Sequence, residues 1–321
     1  MKVTLYIWLG LLACTARGQT LVRTGYDDPS ILRIAPGQVV TLYAAGLKTI
    51  LPGGIIRAGS TPVPSSLAGI SVTLKQSSAV KSLPILAVEQ FSRCTGAVSS
   101  DCLVSALTVQ IPFDIAVAGP ASIAPAGFTT LTISENGSAS RDFSVYPVPD
   151  QVHVLTSCDV NGSTRGTGIC FPMVAHADGS LVLQALRAGD QAPLTASEAK
   201  PGEVLTMYLY GLGVVTPAVN AGDVTPVPAP TTNSPVTLRY DYGINAAPSM
   251  PPGLAPGYFP FSAVFSGLAP GQVGVYQVNF VVPMPPAGIV PCGPAVNSNL
   301  TVSVSLSGGT FDGAAICVDP Q

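Results

Sequence analysis

Short segments in which apolar and polar residues alternate recur along the chain and predict β-strands. In one of them Val39, Thr41 and Tyr43 fall on one face, with Val40 and Leu42 on the other. Similar segments cover residues 70–74, 83–89, 103–111, 129–134 and 142–145, and then 236–242, 262–265, 273–282, 299–305 and 314–318. None has a sustained helical period of apolar residues. The pattern predicts an all-β protein built as a β-sandwich.

One phrase occurs twice. Residues 35–47 and 200–212 share seven identical residues at one constant offset, and these are, in the first copy, Pro36, Gly37, Val39, Thr41, Tyr43, Gly46 and Leu47. Each phrase opens with Pro-Gly, which favours a type II turn, and continues as a strand. The repetition indicates that one fold was built twice.

The length and the repeated phrase together predict two domains. We expect a signal peptide at 1–18, a β-sandwich domain at 19–147, and a second one at 148–321 preceded by a disulfide-closed hairpin. Residues 146–149 alternate with proline and predict a stiff, extended spacer between the domains.

Composition narrows the classes of partner. Charged residues make up 10% of the chain, apolar residues 47%, and the net charge is -3. Nucleic acids and anionic lipid surfaces are recognised by clustered basic residues, which this chain lacks. We therefore expect neither nucleic acid nor an anionic lipid surface as a partner. The expected partner is an unknown extracellular protein or a polysaccharide.

The first residues have the features of a secretory signal. Lys2 precedes an apolar run over residues 3–13, and Ala16 and Gly18 are placed for cleavage before Gln19. The run is too short to span a bilayer, so no transmembrane segment is predicted. Residues 11–14 also resemble a lipobox, which offers a lipid anchor at Cys14 as a minor alternative. We expect a secreted, extracellular or cell-surface protein.

Loss of the signal peptide with Cys14 leaves six of the seven cysteines, an even number suited to disulfides in an oxidising compartment. Pairing of neighbours is favoured because each pair brackets a polar stretch suited to a hairpin tip. The predicted disulfides join Cys94 to Cys102, Cys158 to Cys170, and Cys292 to Cys317.

Residues 265–283 look like the signature of an uncharacterised domain that ends many secreted Solibacter-type acidobacterial proteins, and residues 175–180 and 200–204 fit it as well. The similarity covers roughly residues 150–321. The repeated phrase is also similar to the first strand of IPT/TIG domains, which implies that the domains at 19–147 and 148–321 are two Ig-like β-sandwiches in tandem. Neither resemblance implies a catalytic residue.

Catalysis and cofactor binding are not expected. His153 and His176 are the two imidazoles, and no Gly-x-Ser-x-Gly elbow accompanies them. Residues 159–163 begin like a calcium loop, but the later ligand positions are missing, and a disulfide-closed hairpin explains the same residues. We therefore predict no metal and no cofactor.

An aromatic loop is the strongest ligand-binding candidate. Residues 251–261 are rich in proline and glycine and carry Tyr258, Phe259 and Phe261, which could form a stiff platform for a sugar ring or a protein. The same loop could instead fold back over its own sandwich. Tyr240 and Tyr242 share a strand face, which favours a place in the core.

The leading hypothesis is a non-enzymatic secreted or cell-surface interaction or structural protein of unknown ligand. One alternative is a carbohydrate-binding module that uses the aromatic loop. Another is a surface-assembly subunit that pairs through edge strands.

Overall fold

The computed structural model describes residues 20–24, 32–51, 54–92, 102–117, 129–161, 170–183, 197–241, 258–285, 298–304, 311–316 and 318. It is almost entirely β, with 52% of the chain in strands and 2% in helix. The all-β prediction is confirmed. Apolar residues collect in two cores, one in each half of the chain, except that Phe113 of the first half belongs to the core of the second.

The first half forms two sheets. Its strands are β1 (Thr20–Thr24), β2 (Arg33–Ile34), β3 (Val39–Ala45), β4 (Ile55–Arg57), β5 (Ser66–Leu67), β6 (Ile70–Gln76), β7 (Ala79–Ser82), β8 (Ile85–Ser92), β9 (Leu103–Gln110), β10 (Thr129–Glu135) and β11 (Ser138–Pro147). One sheet has the order β1-β3-β9-β8-β4, and the other β2-β11-β10-β6-β5, with β7 on β6. Their inner faces meet in a core that includes Leu42, Leu107 and Ile133, each 0% exposed.

The second half also forms two sheets. Its elements are β12 (His153–Val154), α1 (Ser157–Asn161), β13 (Val174–Ala175), β14 (Val204–Tyr210), β15 (Val215–Thr216), β16 (Thr231–Thr232), β17 (Val236–Asp241), β18 (Tyr258–Ser262), β19 (Phe265–Leu268), β20 (Tyr276–Val281), β21 (Ser298–Val304) and β22 (Phe311–Ile316). The orders are β12-β14-β20-β19-β16-β15, with β13 on β14, and β18-β17-β21-β22. Tyr240 is fully buried in this core and donates to the Ile316 carbonyl at 3.2 Å, as its place on a core face predicted.

The two halves use the same turn before their leading strands, β3 and β14. Gly37 and Gly202 have φ of 71° and 82°, the left-handed region that glycine adopts without strain. In the first turn the Gln38 side chain accepts a hydrogen bond from the Ala35 N–H at 2.8 Å, and in the second Glu203 accepts from Lys200 at 3.0 Å. Local sequence therefore encodes this turn in both places.

Residues 146–148 of the segment predicted as a spacer are part of the first half. Tyr146 and Pro147 continue β11 and pair in parallel with Arg33 and Ile34 of β2, and the Val148 N–H donates to the Ile34 carbonyl at 2.8 Å. The spacer prediction is wrong because these backbone groups find ladder partners that lie far away in sequence.

Buried hydrogen bonds join the two halves directly. The Gln110 side-chain oxygen accepts from the Gly222 N–H at 2.6 Å, and the Gly222 carbonyl accepts from the Val63 N–H at 2.8 Å. Gly274 lies so close to Val39 that a Cβ built on it would be 2.6 Å from the valine methyl carbon. Backbone of the second half thus packs against side chains of the first without room for a side chain of its own.

This close approach can be tested with two glycines of one turn region. Gly271 and Gly274 have φ of 75° and 67°, but a Cβ at Gly271 would meet nothing within 4 Å. Gly271→Ala should therefore lose only the cost of left-handed backbone, about 1–2 kcal/mol of unfolding free energy. Gly274→Ala should lose about 1–3 kcal/mol more, because it also overpacks the contact between the halves. Urea denaturation of both variants measures the difference, and equal losses would contradict the packing argument.

Candidate binding cleft

The outer face of the sheet β1-β3-β9-β8-β4 and that of the sheet containing β14 and β20 enclose a cavity of about 470 Å³. From the first half it is lined by residues of β3, β4, β8 and β9, and from the second by residues of α1, β14, β20 and the connection before β20. We call this cavity the cleft. Its volume lies within the roughly 300–1,000 Å³ that small-molecule sites occupy.

The alternation of each strand decides which side chains reach the cleft. Val40 and Leu42 of β3 point into the core, so Thr41 and Tyr43 lie on the outer face. On β14 the same alternation places Tyr208 and Tyr210 outward. Tyr43 and Tyr208 are equivalent positions of the repeated phrase. Each half therefore contributes one matching tyrosine to the same cavity.

The cleft begins where the direct contact between the halves ends. Val39, at the start of β3, packs against Gly274, and Gln110, at the end of β9, binds Gly222. Further along the same two strands, Tyr43 and Thr108 line open space. The equivalent of Val39 in the second copy, Val204, is 48% exposed, so the two phrases meet different surroundings.

Three charged residues line the cleft, namely Arg57, Glu89 and Asp159. Arg57 and Glu89 lie on neighbouring strands, where Arg57 is opposite Ala87 and Glu89 is opposite Ile55. They are thus diagonal neighbours of opposite charge on one sheet face. Asp159, on the other wall, is bonded within its own half.

Asp159 belongs to a clamp around His153. The two ring nitrogens of His153 donate to carboxylates on either side, Nε2 to Asp159 at 3.2 Å and Nδ1 to Asp312 at 3.3 Å. Asp159 also accepts from the Thr156 N–H at 2.8 Å, which closes the N-terminus of α1, and Asp312 accepts from the Val154 N–H at 2.7 Å. The clamp fastens β12, α1 and β22 together.

The clamp shifts the pKa of His153 and that of Asp159. Burial lowers the pKa of His153, but the hydrogen bonds and charges of Asp159 and Asp312 outweigh it and raise the pKa from 6.5 to about 9. Burial raises the pKa of Asp159, but His153 and Thr156 outweigh it and lower the pKa from 3.8 to about 2. His153 is therefore a cation at neutral pH and a structural group.

A second polar cluster surrounds the other imidazole. His176 Nδ1 donates to Glu203 Oε1 at 2.5 Å, and in the neutral ring Nε2 accepts from the Ser197 hydroxyl at 3.1 Å. This order of groups matches that of a serine hydrolase triad. Ser197, however, sits in a backbone bridge with Leu183, and none of the three side chains lines the cleft.

The first half explains what Glu203 does. Glu203 Oε2 caps its turn by accepting from the Lys200 N–H, as the Gln38 side chain does from the Ala35 N–H. The first turn has no histidine beside it, so capping alone accounts for a side chain of this kind at this position. The remaining oxygen, Oε1, holds His176 and through it Ser197. We interpret the cluster as a brace that ties residues 174–183 to the turn before β14.

The sequence-predicted site residues have different outcomes. Phe261 packs against the second core, and its ring centroid lies 5.8 Å from that of Phe280. Tyr258 and Phe259 belong to β18, but their side chains lie outside the described residues, so the aromatic platform stays a prediction.

The cysteine predictions are tested at one pair. Cys158 and Cys170 form a disulfide with a Cα–Cα distance of 5.3 Å, as predicted. Cys102 is disulfide-bonded, whereas Cys94, Cys292 and Cys317 lie outside the described residues. The segment predicted as a hairpin has an antiparallel bridge between Thr156 and Pro172 at its base, followed by the helical turn α1, which Asp159 caps. Residues 162–169 lie outside the described residues, so the hairpin itself stays a prediction.

Sequence reasoning missed the cleft, although one signal pointed to it. Tyr43 and Tyr208 are the same aromatic residue at equivalent positions of the repeated phrase. Within the described residues no group of three or more His, Cys, Asp or Glu side chains could hold a metal ion. No helix in that part of the chain is long and apolar enough to cross a membrane.

Comparison with protein families and with curated proteins finds no match. Among solved structures, a pullulanase from Anoxybacillus sp. LM18-11, crystallised with maltotriose, aligns with 90% of this chain and 28% of its own at 7% identity and a TM-score of 0.19. The chain thus spans less than a third of that enzyme, and the likeness is too low to carry an argument.

The clamp predicts a specific pH dependence. A raised histidine pKa stabilises the fold fully below 6.5 and loses this effect as pH rises through about 9, whereas the lowered pKa of Asp159 loses its effect as pH falls from 3.8 to about 2. His153→Gln should therefore cost about 1–3 kcal/mol at pH 6 and less above pH 9. Denaturation of both proteins across pH measures this, and a difference independent of pH would contradict it.

The brace predicts that Glu203→Gln is tolerated. Glutamine keeps the turn cap, as Gln38 does, so the variant should lose less than about 1 kcal/mol of unfolding free energy, and Glu203→Ala about 1–2 kcal/mol, as measured by urea denaturation.

The brace also predicts that Ser197 is unreactive. Ser197 should form no adduct with a fluorophosphonate probe, as read by mass spectrometry of the intact protein. An adduct at Ser197 that vanishes in His176→Gln would show a reactive triad instead of a brace.

Proposed function

We propose that the chain is a non-enzymatic, secreted or cell-surface interaction protein with two Ig-like sandwiches in tandem, which binds its ligand in the cleft between them. The observation that carries the proposal is the cavity of about 470 Å³ with a tyrosine from each copy of the repeated phrase on its walls. Concave sites with apolar walls and a few polar groups are where proteins bind small ligands.

The contact between the halves supports a preformed site. Gln110, Gly222 and Gly274 meet without space for a side chain, and the Tyr276 hydroxyl donates to the Gly213 carbonyl and lies 3.4 Å from the Pro36 carbonyl. Such an interface holds the two walls in one arrangement. A site that is already formed loses less entropy when the ligand binds.

The positions of the two imidazoles favour binding over catalysis. His153 donates both ring protons to aspartates, and His176 lies between Glu203 and Ser197 in the brace. Both have packing roles that account for their contacts. Neither imidazole lines the cleft, where a general base would have to be to act on its ligand.

Two observations favour an extracellular setting. The first residues read as a signal peptide, and Cys158–Cys170 is a disulfide, a bond that persists in oxidising compartments. These two features together support the proposed secreted or cell-surface location.

The proposal is tested by filling the cleft. Gln277→Trp places a large side chain in it, and Val281→Trp places the same side chain four residues along the outer face of β20, outside the cleft. In a thermal-shift screen with saccharides, peptides and nucleotides, compounds that stabilise the wild type should stabilise Val281→Trp equally and lose their effect on Gln277→Trp.

Circular dichroism of both tryptophan variants checks that they fold. The proposal fails if every stabilising compound acts equally on the two variants, or if no compound stabilises the wild type.

A further inference from the structure

We infer that the ligand of the cleft is a short, neutral oligosaccharide held between tyrosines of the two halves. The inference rests on the proposed function and names its ligand class. It places sugar binding at Tyr43 and Tyr208, in a different part of the molecule from the aromatic loop that the sequence singled out.

The tyrosines provide rigid apolar surface. Tyr208 and Tyr210 lie on β14, which is hydrogen-bonded to strands on both sides, and Tyr43 lies on β3 in the same situation. The Tyr43 ring has Phe91 beside it, with ring centroids 6.5 Å apart. Rings fixed in this way lose little freedom when a ligand packs on them, and their faces suit the C–H surfaces of a pyranose.

The other polar groups of the cleft match hydroxyl groups. Thr41 and Thr108 carry hydroxyls 3.1 Å apart, and Gln272 and Gln277 carry amides. Hydroxyls and amides each offer a donor and an acceptor. A sugar hydroxyl also donates and accepts, so it can pair with either the donor or the acceptor of these threonine and glutamine side chains.

The charges of the cleft favour a neutral ligand. Arg57 and Glu89 are diagonal neighbours of opposite sign, and Asp159 is bonded to the protonated His153 and to Thr156. The cleft therefore has no excess cation for a phosphate, and its carboxylate beyond the Arg57 and Glu89 pair, that of Asp159, already bonds His153 and Thr156. An anionic ligand would lose its hydration without gaining an unopposed cation, and a cationic ligand would have to compete with His153 for Asp159.

The geometry of the walls disfavours a peptide strand. A peptide that adds to a sheet needs an open edge with backbone groups to pair with. The strands that border the cleft present their faces to it. Of these, β3, β8, β9, β14 and β20 have a neighbouring strand on both sides, and β4 is an edge strand that contributes the side chains of Ile55 and Arg57. A compact ligand that binds by its faces and hydroxyls fits this arrangement, and the volume limits it to a few sugar rings.

Isothermal titration calorimetry with neutral di- and trisaccharides of glucose, galactose, mannose and xylose tests the inference. At least one should bind, and Tyr208→Ala and Tyr43→Ala should each weaken it at least tenfold, about 1.4 kcal/mol. Tyr208→Phe keeps the ring and should stay within about threefold. Thr206→Ala, on the same face of β14 but outside the cleft, should leave binding unchanged.

Three results would overturn the inference: no saccharide binds, binding ignores the cleft tyrosines but is lost in Phe259→Ala, or the compounds displaced by Gln277→Trp are peptides or ions. The last result would leave the cleft as the binding site and reject only the sugar. Equal action of every compound on Gln277→Trp and Val281→Trp would reject the cleft itself, so the two failures are distinguishable.

Discussion

The contact between Gln110 and the glycine backbone of the second half is the constraint on which the rest of the structure depends. Gln110 is 1% exposed and accepts from Gly222, and Gly274 leaves room for Val39 only because it has no Cβ. This contact brings the outer faces of two sheets together at one end and leaves them apart at the other. The cleft is the space that remains, and its walls are as rigid as the sheets behind them.

The polar groups of the second half divide into two kinds. His153 and His176, with their carboxylates, fasten an irregular segment around the disulfide Cys158–Cys170 to the sheet. The hydroxyls and amides of the cleft instead lie where strand faces open toward a cavity. Asp159 connects the two kinds, since it is bonded to His153 and also lines the cleft. Within the described residues, the carboxylates that bond the two imidazoles thus serve the architecture of the second half.

Much of the fold was predictable because it is encoded locally. Strands were predicted at 70–74, 103–111 and 129–134, and the structure has them at Ile70–Gln76, Leu103–Gln110 and Thr129–Glu135. The predicted spacer differs from the structure for a different reason, because Pro147 pairs with Ile34 of a distant strand. The Asp312 carboxylate likewise holds the Val154 N–H across 158 positions. Partners so distant leave no trace in a local pattern.

The sequence by itself determined the all-β class, the Pro-Gly turn that opens each phrase, and the faces on which Tyr43 and Tyr208 lie, because strand period and glycine backbone freedom are properties of neighbouring residues. Only the tertiary structure decided that these two tyrosines share one cavity and that Val39 is buried while Val204 is exposed. The physical reason is that an outward face has no fixed environment until another surface packs on it. Here that surface is glycine backbone more than a hundred residues away, whose close approach no side-chain pattern records.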